Sequence, residues 1–106
     1  MHTAIAAAIK LINEQFRHPF TRAELARSVG LSVSRFSHLF KVETGTTPIL
    51  YFKSLRMQKA KELLNTTSLS VKEVSARFNL DPSHFERDFR KVTGTSPGRY
   101  KRKRRL

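Results

Sequence analysis

The chain has 106 residues, 39% of them hydrophobic, with four Gly, four Pro and no Cys. That is enough apolar material for one small domain or two small halves sharing a core, and it excludes low-complexity sequence, disulfides, thiolate metal sites and thiol nucleophiles. Lys plus Arg number 21 against 8 Asp plus Glu, and the resulting formal net charge of +13 attracts polyanions, either nucleic acid or an anionic membrane surface. No apolar run reaches the length of a membrane span and no charged-then-apolar leader opens the chain, so a cytoplasmic protein with no membrane partner is expected.

Residues 1–16 read as an amphipathic helix with Ile5, Ile9, Ile12 and Phe16 on one stripe, broken at His18-Pro19 because a residue before Pro is pushed out of helical geometry. Thr21-Arg22-Ala23-Glu24 is a capping box that opens a short helix burying Leu25, Ala26 and Val29. Gly30 supplies the positive φ of a tight turn, and Ser32 caps the next helix, which carries Phe36, Leu39 and Phe40 inward and stops near Thr44-Gly45. Helix, tight turn, helix is the helix-turn-helix pattern.

Thr47-Pro48 then opens a longer helix to about Leu64, with Phe52, Ala60, Leu63 and Leu64 as core and Lys53, Lys59 and Lys61 outside. At about 1.5 Å per residue it spans roughly 25 Å and would hold its two ends apart at a set distance. Residues 65–69 are linker-like, and Ser70-Val71-Lys72-Glu73 repeats the capping-box spacing. Val74, Ala76 and Phe78 supply apolar contacts, Asn79 stands where Gly30 stood, and Asp81-Pro82 starts a helix whose inner stripe is Phe85, Phe89 and Val92. Thr93-Gly94 ends it, Ser96-Pro97 begins a last short helix through Tyr100, and the chain leaves as a basic tail through Arg105, expected to raise affinity without choosing sequence.

The second half repeats the first. Residues 31–51 and 80–100 align without a gap, with identities at Leu31/Leu80, Ser34/Ser83, Phe36/Phe85, Phe40/Phe89, Thr44/Thr93, Gly45/Gly94, Thr46/Thr95, Pro48/Pro97 and Tyr51/Tyr100. One supersecondary unit used twice gives an all-α fold of seven helices. Helix-turn-helix subdomains at 1–47 and 65–106 are joined by the linking helix 48–64.

If Phe36 and Phe40 face the core, a helical advance of about 100° per residue puts Ser34, His38 and Lys41 on the far side, flanked by Arg35 and Ser37. The same offsets give Ser83, Arg87 and Arg90, flanked by His84 and Glu86. Arg35 aligns with His84 and His38 with Arg87, so two helices with a shared core carry different outer faces, suited to reading two different stretches of DNA. The bland alternative, solvated polar faces, is outweighed by the repetition. Acids near the start of the second outer helix, Asp81, Glu86 and Asp88, could cap it, pair with its own arginines or repel wrong bases. Phosphate contacts are expected from Arg22, Lys41, Arg90 and Lys91 and from the helix starts at Thr47, Ser70 and Ser96.

Several features together resemble the AraC/XylS family of bacterial transcription regulators. They are the two Gly-Thr-Thr/Ser-Pro turns, the Phe-x-x-x-Phe helices, the Arg56-x-x-x-Ala60-x-x-Leu63-Leu64 signature and the closing Gly94-Thr95-Ser96-Pro97-x-x-Tyr100. The resemblance implies two recognition helices entering successive major-groove segments of double-stranded DNA, and activation through contact with RNA polymerase. It places base-reading positions at Ser34, Arg35, Ser37 and His38 and at Pro82, Ser83, His84, Glu86 and Arg87. Most members of that family also carry a separate effector-binding or dimerisation domain, so either a stand-alone small member or a DNA-binding fragment is expected. Asn79-Leu80 departs from the family's Gly-Phe at the second turn.

The rivals are weaker. An enzyme would need a site, and His2, His18, His38 and His84 show no metal-ligand spacing, nor does a Gly-rich phosphate loop follow a strand, so no cofactor is expected. A charge-only module for membrane or RNA would expose its apolar faces, and a helix-turn-helix used for protein contact would bind with little salt sensitivity.

Overall fold

The computed structural model describes residues 1–104, with side chains to Lys101. Its seven helices are α1 (Thr3–Glu14), α2 (Arg22–Ser28), α3 (Val33–Thr44), α4 (Pro48–Thr66), α5 (Val71–Arg77), α6 (Pro82–Thr93) and α7 (Pro97–Arg104), with no strand among the described residues. The expected all-α class holds. The chain divides into two compact units, Met1–Phe52 and Lys53–Leu106, so the division falls inside α4.

In the first unit, α1 buries Ile5, Ala8 and Ile12, while Ile9 and Phe16 are half-buried; the inner stripe therefore runs through a small Ala that hydrophobicity alone does not single out. The capping box closes as expected: the Glu24 amide donates to Thr21 Oγ1 at 3.1 Å and the Thr21 amide to a Glu24 carboxylate oxygen at 3.0 Å. After α2 the Leu31 amide donates to the Ala26 carbonyl at 3.0 Å and the Gly30 amide to the Arg27 carbonyl at 3.1 Å, with Gly30 at φ 73°. This 6→1 and 5→2 pair is a Schellman turn, which needs a left-handed residue at its centre. Ser32 caps α3 through the Arg35 amide at 3.2 Å. Phe36 and Phe40 are fully buried, 5.6 Å apart between ring centroids, and Phe40 meets Tyr51 edge-on at 5.4 Å.

The second unit repeats these devices with the same bonding. Ser70 and Glu73 close a capping box with both bonds at 3.0 Å. Leu80 donates to the Ser75 carbonyl and Asn79 to that of Ala76, each at 3.1 Å, and Asn79 takes the left-handed conformation at φ 57°. Asp81 caps α6 through the His84 amide at 2.9 Å. Phe85, Phe89 and Tyr100 form a ring series at 5.7 and 5.9 Å, and Lys61 Nζ lies 5.5 Å from the Tyr100 ring centre. Lys101 donates to the Leu69 carbonyl, which ties α7 back to the segment before α5.

Several expected core positions are corrected. Ala76 is exposed and Ser75 buried, because Ser75 stands where the repeat puts buried Ala26; its hydroxyl is satisfied by the Lys72 carbonyl at 2.8 Å. Met57 is fully buried and Arg56 only 6% exposed, whereas Val29, Leu63 and Val92 are half-buried. Of the expected basic tail, the Arg102, Lys103 and Arg104 side chains and all of Arg105 lie outside what is described.

Candidate nucleic-acid interface

Because the Phe stripes fix the rotation of α3 and α6, the residues opposite them face outward. On α3, Ser34, Arg35, His38 and Lys41 are exposed; Ser37, at the flank, is half-buried, its hydroxyl buried and without a hydrogen-bond partner among the described residues. On α6, Pro82, Ser83, Glu86, Arg87, Arg90 and Lys91 are exposed and His84 is half-buried, with Ser83, Glu86, Arg87, Arg90 and Lys91 lining a surface hollow. The side chains of Arg35, His38, Lys41, Arg87 and Lys91 have no hydrogen bond or ion pair among the described residues. Their polar heads are open to a partner.

The acids of α6 divide by role. Asp81 is the cap, and Glu86 lies 3.7 Å from Arg90 in an exposed i,i+4 pair, worth about 0.3–0.5 kcal/mol and easily exchanged for a stronger anion. Asp88, grouped in sequence with the outer acids, turns inward: its side chain is 7% exposed, 3.4 Å from Lys53 Nζ and 3.2 Å from His84 Nε2. Beside it the buried Arg56 guanidinium donates to the Phe78 carbonyl and lies 5.6 Å from the Phe78 ring centre. Burial lowers the Arg56 pKa and the Asp88 charge works against that shift. A buried charge survives only when paired and hydrogen-bonded, so Asp88, Lys53 and Arg56 sustain one another beneath α6.

The helix starts spend their hydroxyls at home. Thr47 Oγ1 accepts from the Leu50 amide and Ser96 Oγ from the Arg99 amide, each at 3.2 Å, and Ser70 accepts from Glu73. Any phosphate would therefore meet first-turn amides rather than these hydroxyls. Arg22, in the first turn of α2, is exposed. The amide bonds from Thr21 and Ser70 hold the Glu24 and Glu73 carboxyls below the usual carboxylate range.

Two positions add to or differ from the sequence reading. Val33, 39% exposed, opens α3 at the offset of Pro82. Lys53, expected outside, is held by Asp88. Among the described residues no three His, Cys, Asp or Glu side chains gather as a metal site requires, and no helix is long and apolar enough to cross a membrane.

A family model described as a helix-turn-helix domain matches residues 25–103. Among curated relatives, the HTH-type transcriptional regulator CdhR of Pseudomonas aeruginosa is 36% identical over 93 residues, covering 84% of this chain and 28% of its own length. The arabinose operon regulatory protein of Escherichia coli is 36% identical over 83 residues, covering 77% of this chain and likewise 28% of its own. The chain thus spans under a third of these relatives. Among solved structures, the DNA-binding domain of the global transcriptional factor AdpA, in complex with a target DNA, superposes with a TM-score of 0.91 at 28% identity, covering 98% of this chain and 95% of that one. The C-terminal domain of the response regulator AraT from Geobacillus stearothermophilus gives a TM-score of 0.91 at 29% identity, covering 96% and 86%. These relatives are regulators and not enzymes. With the doubled turn, the repeated ring series and the family match in agreement, the chain belongs to the AraC/XylS family of helix-turn-helix transcription regulators.

Proposed function

We propose that the chain is a sequence-specific reader of double-stranded DNA, in which α3 and α6 enter successive major-groove segments of an asymmetric site with half-sites about 10 bp apart. The observation that carries this is the contrast between the two copies. The turns, caps and ring series coincide, while around a shared Ser (Ser34 and Ser83) the outer faces differ, Arg35 and His38 in one and His84 and Arg87 in the other. The likeness to a domain solved with its target DNA supports the same reading. Ser37, Pro82 and Glu86 complete the proposed base-reading set, and Arg22, Lys41, Thr47, Ser70, Arg90, Lys91 and Ser96 the phosphate set. Activation through RNA polymerase, a cytoplasmic nucleoid location and a partner effector-binding or dimerisation domain belong to the same proposal.

The test is binding to a duplex as salt is raised. Release of counterions from about 6–10 phosphates predicts a loss of roughly 10³–10⁵ in affinity between 50 and 200 mM salt, with specific sites outcompeting bulk DNA. Little salt dependence would favour a protein-contact role. Equal affinity for every duplex and for anionic vesicles would favour a charge-only module.

A further inference from the structure

We propose that Asp88 is a positioning residue for base reading by α6: its inward carboxylate accepts the hydrogen bond donated by His84 Nε2–H and fixes the ring in the tautomer whose Nδ1 accepts. This rests on the DNA-reading proposal above and adds to it the hydrogen-bonding sense of one contact.

A carboxylate can only accept, so the proton shared across the 3.2 Å between His84 Nε2 and Asp88 sits on the ring. The bond made by one imidazole nitrogen decides what the other can do, and in the neutral ring Nδ1 is left as an acceptor. The major-groove groups that donate are adenine N6 and cytosine N4. An exposed i,i+4 pair would hold the ring loosely. Here the Asp88 side chain is 7% exposed and is itself anchored by Lys53 of α4 at 3.4 Å, so His84 is braced against the body of its unit. The first copy lacks the device: Leu39 stands at the offset of Asp88, and Arg35, at the offset of His84, has a side chain with no partner among the described residues. One reading helix therefore presents a braced acceptor and the other a donor that no side chain braces among the described residues.

The test uses the full chain on its best-selected duplex and on duplexes changed one base at a time, at a pH about two units above the ordinary imidazole value of about 6.5. The wild type is expected to prefer an amino base, A or C, on the contacted strand at one step, by about fivefold or more. His84→Ala abolishes that preference, and Asp88→Leu flattens the same step while preferences in the other half-site persist. The double variant adds nothing further. Additive effects, uniform weakening at every step, or a preference for G or T would overturn the proposal. Should Asp88→Leu fail to fold, the ¹⁵N shifts of His84 in the free wild type decide: Nε2–H is expected, and Nδ1–H refutes it. A wild type that selects no sequence fails the DNA reading itself, which is a separate outcome.

Discussion

Replacing Arg56 by Ala tests the buried chemistry beneath α6 most severely. The guanidinium is only 6% exposed and donates to the Phe78 carbonyl, so its loss removes a charged donor from a buried hydrogen bond at about 1–3 kcal/mol. The cation over the Phe78 ring at 5.6 Å adds about 0.5–2 kcal/mol. Removing one of the cations that balance the inward Asp88 pushes in the same direction, because a buried carboxylate short of partners is costly. A total of about 3–5 kcal/mol is expected, a large share of the stability of a small domain. Because the two units have separate cores, the loss should fall on α5, α6 and α7. Native-state amide hydrogen exchange resolves it: protection of the Phe85 and Phe89 amides should drop by that amount, with a smaller change at Phe36 and Phe40. Arg56→Lys keeps the charge but not the planar fork and should fall between. A loss under about 1 kcal/mol, or an equal loss in both units, would refute the reasoning.

Arg87→Ala should weaken binding to the selected site by about 1–3 kcal/mol and relax base choice at one position, read by competition among single-base variants; uniform weakening would make Arg87 a phosphate contact. Glu24 and Glu73 titrate below their ordinary range in the folded chain, so the stability they give is present above the unfolded carboxylate value and lost as pH falls through the folded one. Melting followed from pH 6 to about 3 should show this acid loss reduced in Glu24→Gln/Glu73→Gln, since Gln keeps the capping bond without the charge; an unchanged acid limb would contradict it. Gly94→Ala should cost about 1–2 kcal/mol in urea melts because Gly94 sits at φ 83° with open space around a Cβ, making the penalty one of backbone conformation alone.

Helix order, both capping boxes, both tight turns and the Phe stripes were legible in the sequence because each depends on residues within a few positions of one another. The outer faces followed from those stripes. What was missed involves partners brought together from different helices. Asp88 read as a surface acid because carboxylates default to solvent, and only Lys53 and His84 converging on it make an inward position tolerable. Arg56 had a visible signal, since it lies on the same stripe as Phe52 and Ala60, but charge argued against placing it in the core. Ser75 could have been found by the repeat alone, from the buried Ala26 that it replaces.

Selection of bound duplexes from a random pool is the measurement that bears most directly on a doubled reader of DNA. An enriched site with two unlike half-sites about 10 bp apart, each changed by substitutions in only one of α3 and α6, is predicted. A pool left unenriched, or a single half-site altered by substitutions in both helices alike, would contradict it.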